Sequence, residues 1–333
     1  MFLPILLMAG LADDSPRGYV CPRAPGPIVV DGKLEDDGWK GVPWSADFVD
    51  IEGDQKPRPR FRTRVKMAWD DRYIYIAARL DEPHIWANLT EHDSVIFQDN
   101  DFEVFIDPDG DTHEYYEIEI NSRNTEWDLF LDKPYRAGGP ARNEWEIPGL
   151  LKAIGIDGTL NDPKDTDRSW DVELAIPWDV LGKHANRPSP PKDGDQWRIN
   201  FSRVEWETTI EDGQYKKVPG KPEDNWVWSP QGVVDMHRPS RWGYVQFSTE
   251  APGQAAFRPD PDGPTRDRLI ALFDAQLAFS KEHGNWAKRL EDLKLESPTE
   301  GITLTARPDG YEATLQGPRK TWRIRQDSKL TPE

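Results

Sequence analysis

Asp101-Phe102-Glu103-Val104-Phe105-Ile106-Asp107, the turn Pro108-Asp109-Gly110-Asp111, and Tyr115-Tyr116-Glu117-Ile118-Glu119-Ile120-Asn121 form the stretch on which the fold turns. Side chains on a strand alternate between faces. In the second segment Tyr116, Ile118 and Ile120 therefore share one face, and Tyr115, Glu117, Glu119 and Asn121 the other. Residues 127–131 read as the next strand. Upstream, 64–69 and 73–78 are two strands joined by the acidic turn Asp70-Asp71, and downstream strands are expected at 169–177, 196–205, 226–229 and 242–248. At least eight short strands, with no long amphipathic helix among them, predict an all-β, antiparallel β-sandwich.

The pattern changes after residue 249. Residues 250–265 are rich in Pro, Gly and Asp and read as a linker. From 266 to 293, Leu269, Leu272, Phe273, Gln276, Leu277 and Phe279 recur at helical spacing, with a break expected near Gly284. Strands at 302–306, 311–315 and 321–324 complete a small α+β unit, 266–333. So small a unit is marginally stable unless it docks on the sandwich.

Composition narrows the function. Sixty acidic against 42 basic residues give a net charge of -18, which excludes a polyanion such as nucleic acid or an anionic membrane surface as partner. Residues 265–333 carry 12 basic and 11 acidic side chains, so the excess negative charge lies before them. Nine carboxylates and no Lys or Arg fall between Asp99 and Glu119, as expected of a solvated face or of a cation or polyol site. The apolar residues 1–12 read as a signal peptide, placing the mature chain outside the cytoplasm, secreted or periplasmic. No apolar run is long enough to span a membrane, and the single cysteine, Cys21, excludes an internal disulfide.

Four segments in order carry a family resemblance: Val30-Asp31-Gly32-Lys33-Leu34-Glu35-Asp36-Asp37-Gly38-Trp39, the Trp69-Asp70-Asp71-Arg72-Tyr73-Ile74-Tyr75 core, Asp101 to Asp107, and Ser240-Arg241-Trp242-Gly243-Tyr244. Over residues 27–248 the chain resembles carbohydrate-binding module family 9, of the DOMON-like superfamily. The resemblance implies a domain over 22–249 that binds a glycan on a concave face by aromatic stacking and polar contacts, in carbohydrate catabolism. By position, Glu103 matches a carboxylate that receives sugar hydroxyls, Phe97 a stacking Trp, Asn121 a polar residue on the neighbouring strand, and Met236 the second stacking Trp. Glu119 and Trp127 extend this candidate site, with His237 and Arg238 beside Met236. Apolar sugar faces pack on aromatic rings while hydroxyls need directional partners.

Other chemistries compete. Asp107, Asp109 and Asp111 alternate around Gly110 and suggest a calcium loop without the closing ligands of an EF-hand; the family resemblance also implies structural calcium. The superfamily's haem-binding members raise an alternative in which Met67 with His237, or Met236, ligates haem. Glu103 and Glu119 would be the acid-base or nucleophile pair of a glycoside hydrolase in a third reading. No Ser-His-Asp elbow, phosphate loop or dinucleotide fingerprint is present. Trp39, Trp69, Trp170, Trp178, Trp242 and Trp286 sit in patterns expected of core residues, whereas Trp206, Trp226 and Trp228 remain candidates for a binding platform.

Overall fold

The computed structural model describes residues 15–333, so the apolar segment 1–12 lies outside them. The strands in chain order are β1 (Gly18–Pro22), β2 (Val49–Asp50), β3 (Thr63–Trp69), β4 (Tyr73–Asp81), β5 (Asp101–Asp107), β6 (Tyr115–Asn121), β7 (Glu126–Leu131) and β8 (Ala141–Arg142). They continue with β9 (Leu151–Asp157), β10 (Ser169–Pro177), β11 (Gln196–Glu205), β12 (Thr208–Glu211), β13 (Gln214–Lys217), β14 (Asp224–Val227) and β15 (Gly243–Ser248). One sheet runs β1-β15-β11-β5-β6-β7-β8, with β14 and β2 attached to β11; the second runs β3-β4-β10-β9.

The alternation read from β5 and β6 explains how the sheets meet. Phe102, Val104 and Ile106 stand opposite Ile120, Ile118 and Tyr116 and are buried against Met67, Ile74, Ile76, Val172 and Leu174 of the other sheet. Trp69, Trp178, Trp197 and Phe247 close one end edge to face, with ring centroids 5.5–6.3 Å apart. With Phe102, Val104 and Ile106 committed to the core, Asp101, Glu103 and Phe105 face the opposite side of the larger sheet.

Three features depart from the sequence expectation. β1 pairs in parallel with β15, the one parallel pair among the described strands, because it enters beside the last strand of the sandwich. The β12–β13 hairpin is mostly exposed and has no apolar alternation to reveal it. The strand expected at 226–229 begins earlier, at Asp224, while buried Trp228 and Ser229 follow its end.

After β15 the Pro/Gly-rich segment is held against the sandwich: Gln246 Nε2 donates to Ala256 O at 3.0 Å, and Gln196 Nε2 to Arg258 O at 2.6 Å. Helix α2 (Gly263–His283), which follows the one-turn α1 (Trp178–Leu181) of the sandwich, stops where Gly284 takes φ +72° and its N–H bonds Ser280 O at 2.9 Å, so the pattern read over 266–293 is cut at the expected glycine. Strands β16 (Thr303–Arg307), β17 (Gly310–Gln316), β18 (Thr321–Arg325) and β19 (Leu330–Pro332) form a separate antiparallel sheet packed on α2.

Candidate functional site

The outward face of β5 and β6 carries a row that crosses four strands: Ser202 of β11, Glu103 of β5, Glu119 of β6 and Trp127 of β7 are cross-strand neighbours in turn. Phe105 and Glu117 form the adjacent step. Loops close over this face to leave a cavity of about 250 Å³, lined among others by Phe97, Glu103, Glu117, Glu119, Trp127, Tyr135, Met236 and His237. A larger cleft of about 460 Å³ follows the 47–62 loop and includes none of the sequence candidates.

Tryptophans away from the cavity hold its loops. Trp206 Nε1 donates to Phe97 O at 2.9 Å, and Phe97 N donates to Glu119 Oε2 at 2.9 Å, which ties the Phe97 turn to both β11's end and β6. Trp242, fully buried, donates from Nε1 to Met236 O at 2.8 Å and packs on Phe105 and Tyr115. Trp226 and Trp228 are core residues rather than a platform. Tyr115 hydroxyl and His237 Nδ1 lie 3.0 Å apart, and the Tyr135 ring meets the His237 ring edge-on at 4.4 Å.

The carboxylates are buried and crowded. Burial raises the Glu103 carboxyl to about 7. It also raises Asp101, Glu117 and Glu119 well above the usual range, with the Glu103 charge adding to each. His237 moves the other way, pushed down to about 4 by burial, and is neutral near pH 7. A wall of acceptors beside exposed rings, Tyr135 at 47% and Phe97 half-buried, suits a neutral ligand rich in hydroxyl donors or a cation.

Of the sequence candidates, Phe97, Glu103, Glu119, Trp127, Met236 and His237 meet in one cavity. Asn121 does not: its Nδ2 donates to Leu89 O and Asp99 Oδ2 at 3.0 and 3.1 Å. Its Oδ1 receives the N–H groups of Arg123 and Thr125, so it organises the β6–β7 turn. Arg238 turns away to Asp274 of α2 at 2.7 Å. Tyr135 and Glu223 also line the cavity, and no strand alternation marked them because Tyr135 opens a single 3-10 turn and Glu223 precedes β14 in a loop.

The loop Asp107–Asp111 brings three carboxylates within 4.8 Å of one another, close enough to share a cation, but each is also engaged in hydrogen bonds or an ion pair. Asp107 receives Gly110 N and Thr112 N, Asp109 receives Asp111 N and Asn186 Nδ2, and Asp111 receives His113 N while Lys329 Nζ stands 3.1 Å from its second oxygen. All six oxygens already have donors. The haem pairings do not fit. Met67 is fully buried between the sheets, whereas His237 lies on the far face of the larger sheet with one nitrogen engaged by Tyr115. Met236, though beside His237, gives its carbonyl to Trp242 within a cavity of about 250 Å³, small for a macrocycle.

A buried-strand sandwich with a polar and aromatic cavity on one face defines the class, and comparison with known proteins narrows it. Residues 30–131 match the family described as Carbohydrate family 9 binding domain-like. Over 153 residues, 46% of this chain, it is 26% identical to an exoglucanase of Acetivibrio thermocellus and 27% identical to an endo-1,4-beta-xylanase of Thermoanaerobacterium saccharolyticum. The chain spans only 12% and 11% of those enzymes. A crystal structure of a Bacteroides uniformis protein, provisionally described as carbohydrate-binding, covers 70% of this chain and all of its own, with a TM-score of 0.52 at 17% identity, a likeness of fold. The family likeness thus rests on residues 30–131, and the likeness of fold extends beyond them.

Proposed function

We propose that the β-sandwich is a non-catalytic glycan-binding module whose ligand enters the cavity between Phe97, Trp127 and Tyr135 and is held by Glu103, Glu119 and Glu117. The observation that supports this most is the four-strand row itself, which sets an aromatic ring beside buried carboxylates on one wall. Pyranose C–H faces pack on rings, and hydroxyls donate to carboxylates. The family match and the relatives, by name an exoglucanase and an endo-1,4-beta-xylanase, point the same way.

Hydrolysis has weaker support. Glu103 and Glu119 are side-by-side neighbours on one sheet surface, with oxygens within 4.8 Å of each other. A glycosidase instead places its two carboxyls on either side of the scissile bond. We further infer export to a compartment where polysaccharide is degraded, from the apolar N-terminus, and a C-terminal unit docked on the sandwich. Docking is supported by Leu330 N donating to Asp111 O at 3.0 Å, His113 Nε2 bonding Asp327 O at 2.8 Å, and the Arg238–Asp274 pair.

A glycan array with the full chain, beside Glu103→Gln, tests the reading. Binding to at least one oligosaccharide class that the variant loses is the expected result; no bound glycan would sink it. Release of reducing sugar by the wild type, absent in the variant, would transfer the assignment to a hydrolase.

A further inference from the structure

Glu103 and Glu119 stand directly opposite one another in the β5–β6 register, and Asp101 follows on the same face of β5. Oxygens from the three lie within 4.8 Å of one another. Like charges directly opposite on an antiparallel pair work against that pairing, and burial makes the conflict worse. No Lys or Arg lines the cavity among the described residues. Lys217 stands over the Trp206 ring, 3.4 Å from its centroid, close enough to feel the charges of Asp99, Glu223 and Asp101 but outside the cavity lining.

Two buried acceptors are left over. Asp101 is fully buried; its Oδ1 receives Val204 N at 3.1 Å, and its Oδ2 has no partner among the described residues. Glu117, 4% exposed and pointing into the same cavity, accepts no hydrogen bond among them; the neutral ring of His237 stands 3.9 Å away, and the charge that acts on it is that of Glu103. The contrast with Asp107–Asp111, where every oxygen has a donor, is direct. Native buried oxygens are ordinarily satisfied, so unclaimed ones aimed at a cluster of carboxylates ask for a ligand.

We propose that Asp101, Glu103 and Glu119 bind one divalent cation of the calcium class at the Asp101 side of the cavity. The donor set is all hard oxygen, with no imidazole or thiolate among the three, which selects calcium over zinc or copper. Three carboxylates leave part of a six- to eight-oxygen shell open toward the cavity. Vicinal sugar hydroxyls would fill those positions; that last step rests on the glycan reading, and the cation site does not.

The test is calorimetric titration of Ca²⁺ alone into the chelator-stripped full chain, with terbium luminescence sensitised by the nearby tryptophans as a second readout. One bound ion is expected. Glu103→Gln, which leaves the Asp101–Val204 and Glu119–Phe97 bonds in place, weakens it at least tenfold, as does Glu119→Gln, while Asp109→Asn leaves it unchanged. Circular dichroism of each variant separates lost binding from lost folding. Absence of any bound ion in the folded wild type overturns the proposal, and so does an ion that survives both pocket substitutions and disappears in Asp109→Asn. Calcium bound with no glycan on the array supports the cation site and removes only the glycan reading; glycan affinity unchanged by chelator overturns the shared shell.

Discussion

Asp128 lies one strand position beyond Trp127 and faces the other way. Its side chain is 2% exposed; Oδ2 receives Ile147 N at 2.6 Å, and Oδ1 has no hydrogen-bond partner among the described residues. Burial raises its carboxyl to about 6. The folded chain therefore holds a proton there between pH 4 and 6 that the unfolded chain has released, so this group's contribution to stability falls as pH rises through that window. Asp128→Asn keeps an acceptor for Ile147 N and removes the buried charge. Urea midpoints at pH 4, 5, 6 and 7 are expected to show the variant equal to wild type at pH 4 and more stable by about 2 kcal/mol at pH 7. A constant difference across the range would contradict the assignment. Single residues were legible where strand alternation placed them: Glu103, Glu119 and Trp127 share a face because their strands are in register. Asn121 obeys the same alternation, yet the turn beyond it captures its side chain, and Arg238 answers to Asp274, 36 positions later. Such partners are set by tertiary contact and leave no local pattern.

At the scale of elements, strands committed to the inter-sheet core were readable and those outside it were not. β10 and β11 occupy the ranges their alternation predicted, whereas β9 is half-exposed, and β12 and β13 carry Thr, Glu, Gln and Lys on their open faces. Close packing also makes one glycine indispensable. A Cβ on Gly243, at the start of β15, would lie 2.2 and 2.5 Å from the Trp228 ring, which is itself fully buried between Tyr19 and Phe201. Gly243→Ala is expected to destabilise by about 3 kcal/mol, read as a lower denaturant midpoint with unchanged slope. A neutral result would mean that the ring has room to move. Trp206→Phe acts differently, since it removes the bond to Phe97 O but keeps an aromatic ring. Weaker glycan binding at unchanged melting temperature is the expected signature.

Across the whole molecule, the C-terminal unit reaches the cavity's rim. Asp274 of α2 pairs with both Arg136 and Arg238, and these follow the rim residues Tyr135 and His237 by one position. Asp274→Ala is expected to loosen both loops, lowering glycan affinity about three- to tenfold while Glu103 and Trp127 stay in place; unchanged affinity would confine the unit to a structural role. The charge partition seen in the sequence gains a spatial meaning here. Of the acidic residues of 101–119, Glu103, Glu117 and Glu119 line the cavity, whereas Asp111 of the Asp107–Asp111 loop pairs with Lys329 of the C-terminal unit and Thr112 beside it bonds Ser328. Nothing in the local pattern separates those two roles, because both sets alternate on strands or turns and differ only in what folds over them.

The claim that this cavity is a glycan site is tested most directly by isothermal titration of the strongest array oligosaccharide into the wild type and Phe97→Ala. Loss of one stacking ring at the mouth of the cavity is expected to raise Kd about ten- to a hundredfold with the melting temperature preserved. Equal affinity in the two folded proteins would place the sugar elsewhere and contradict the account.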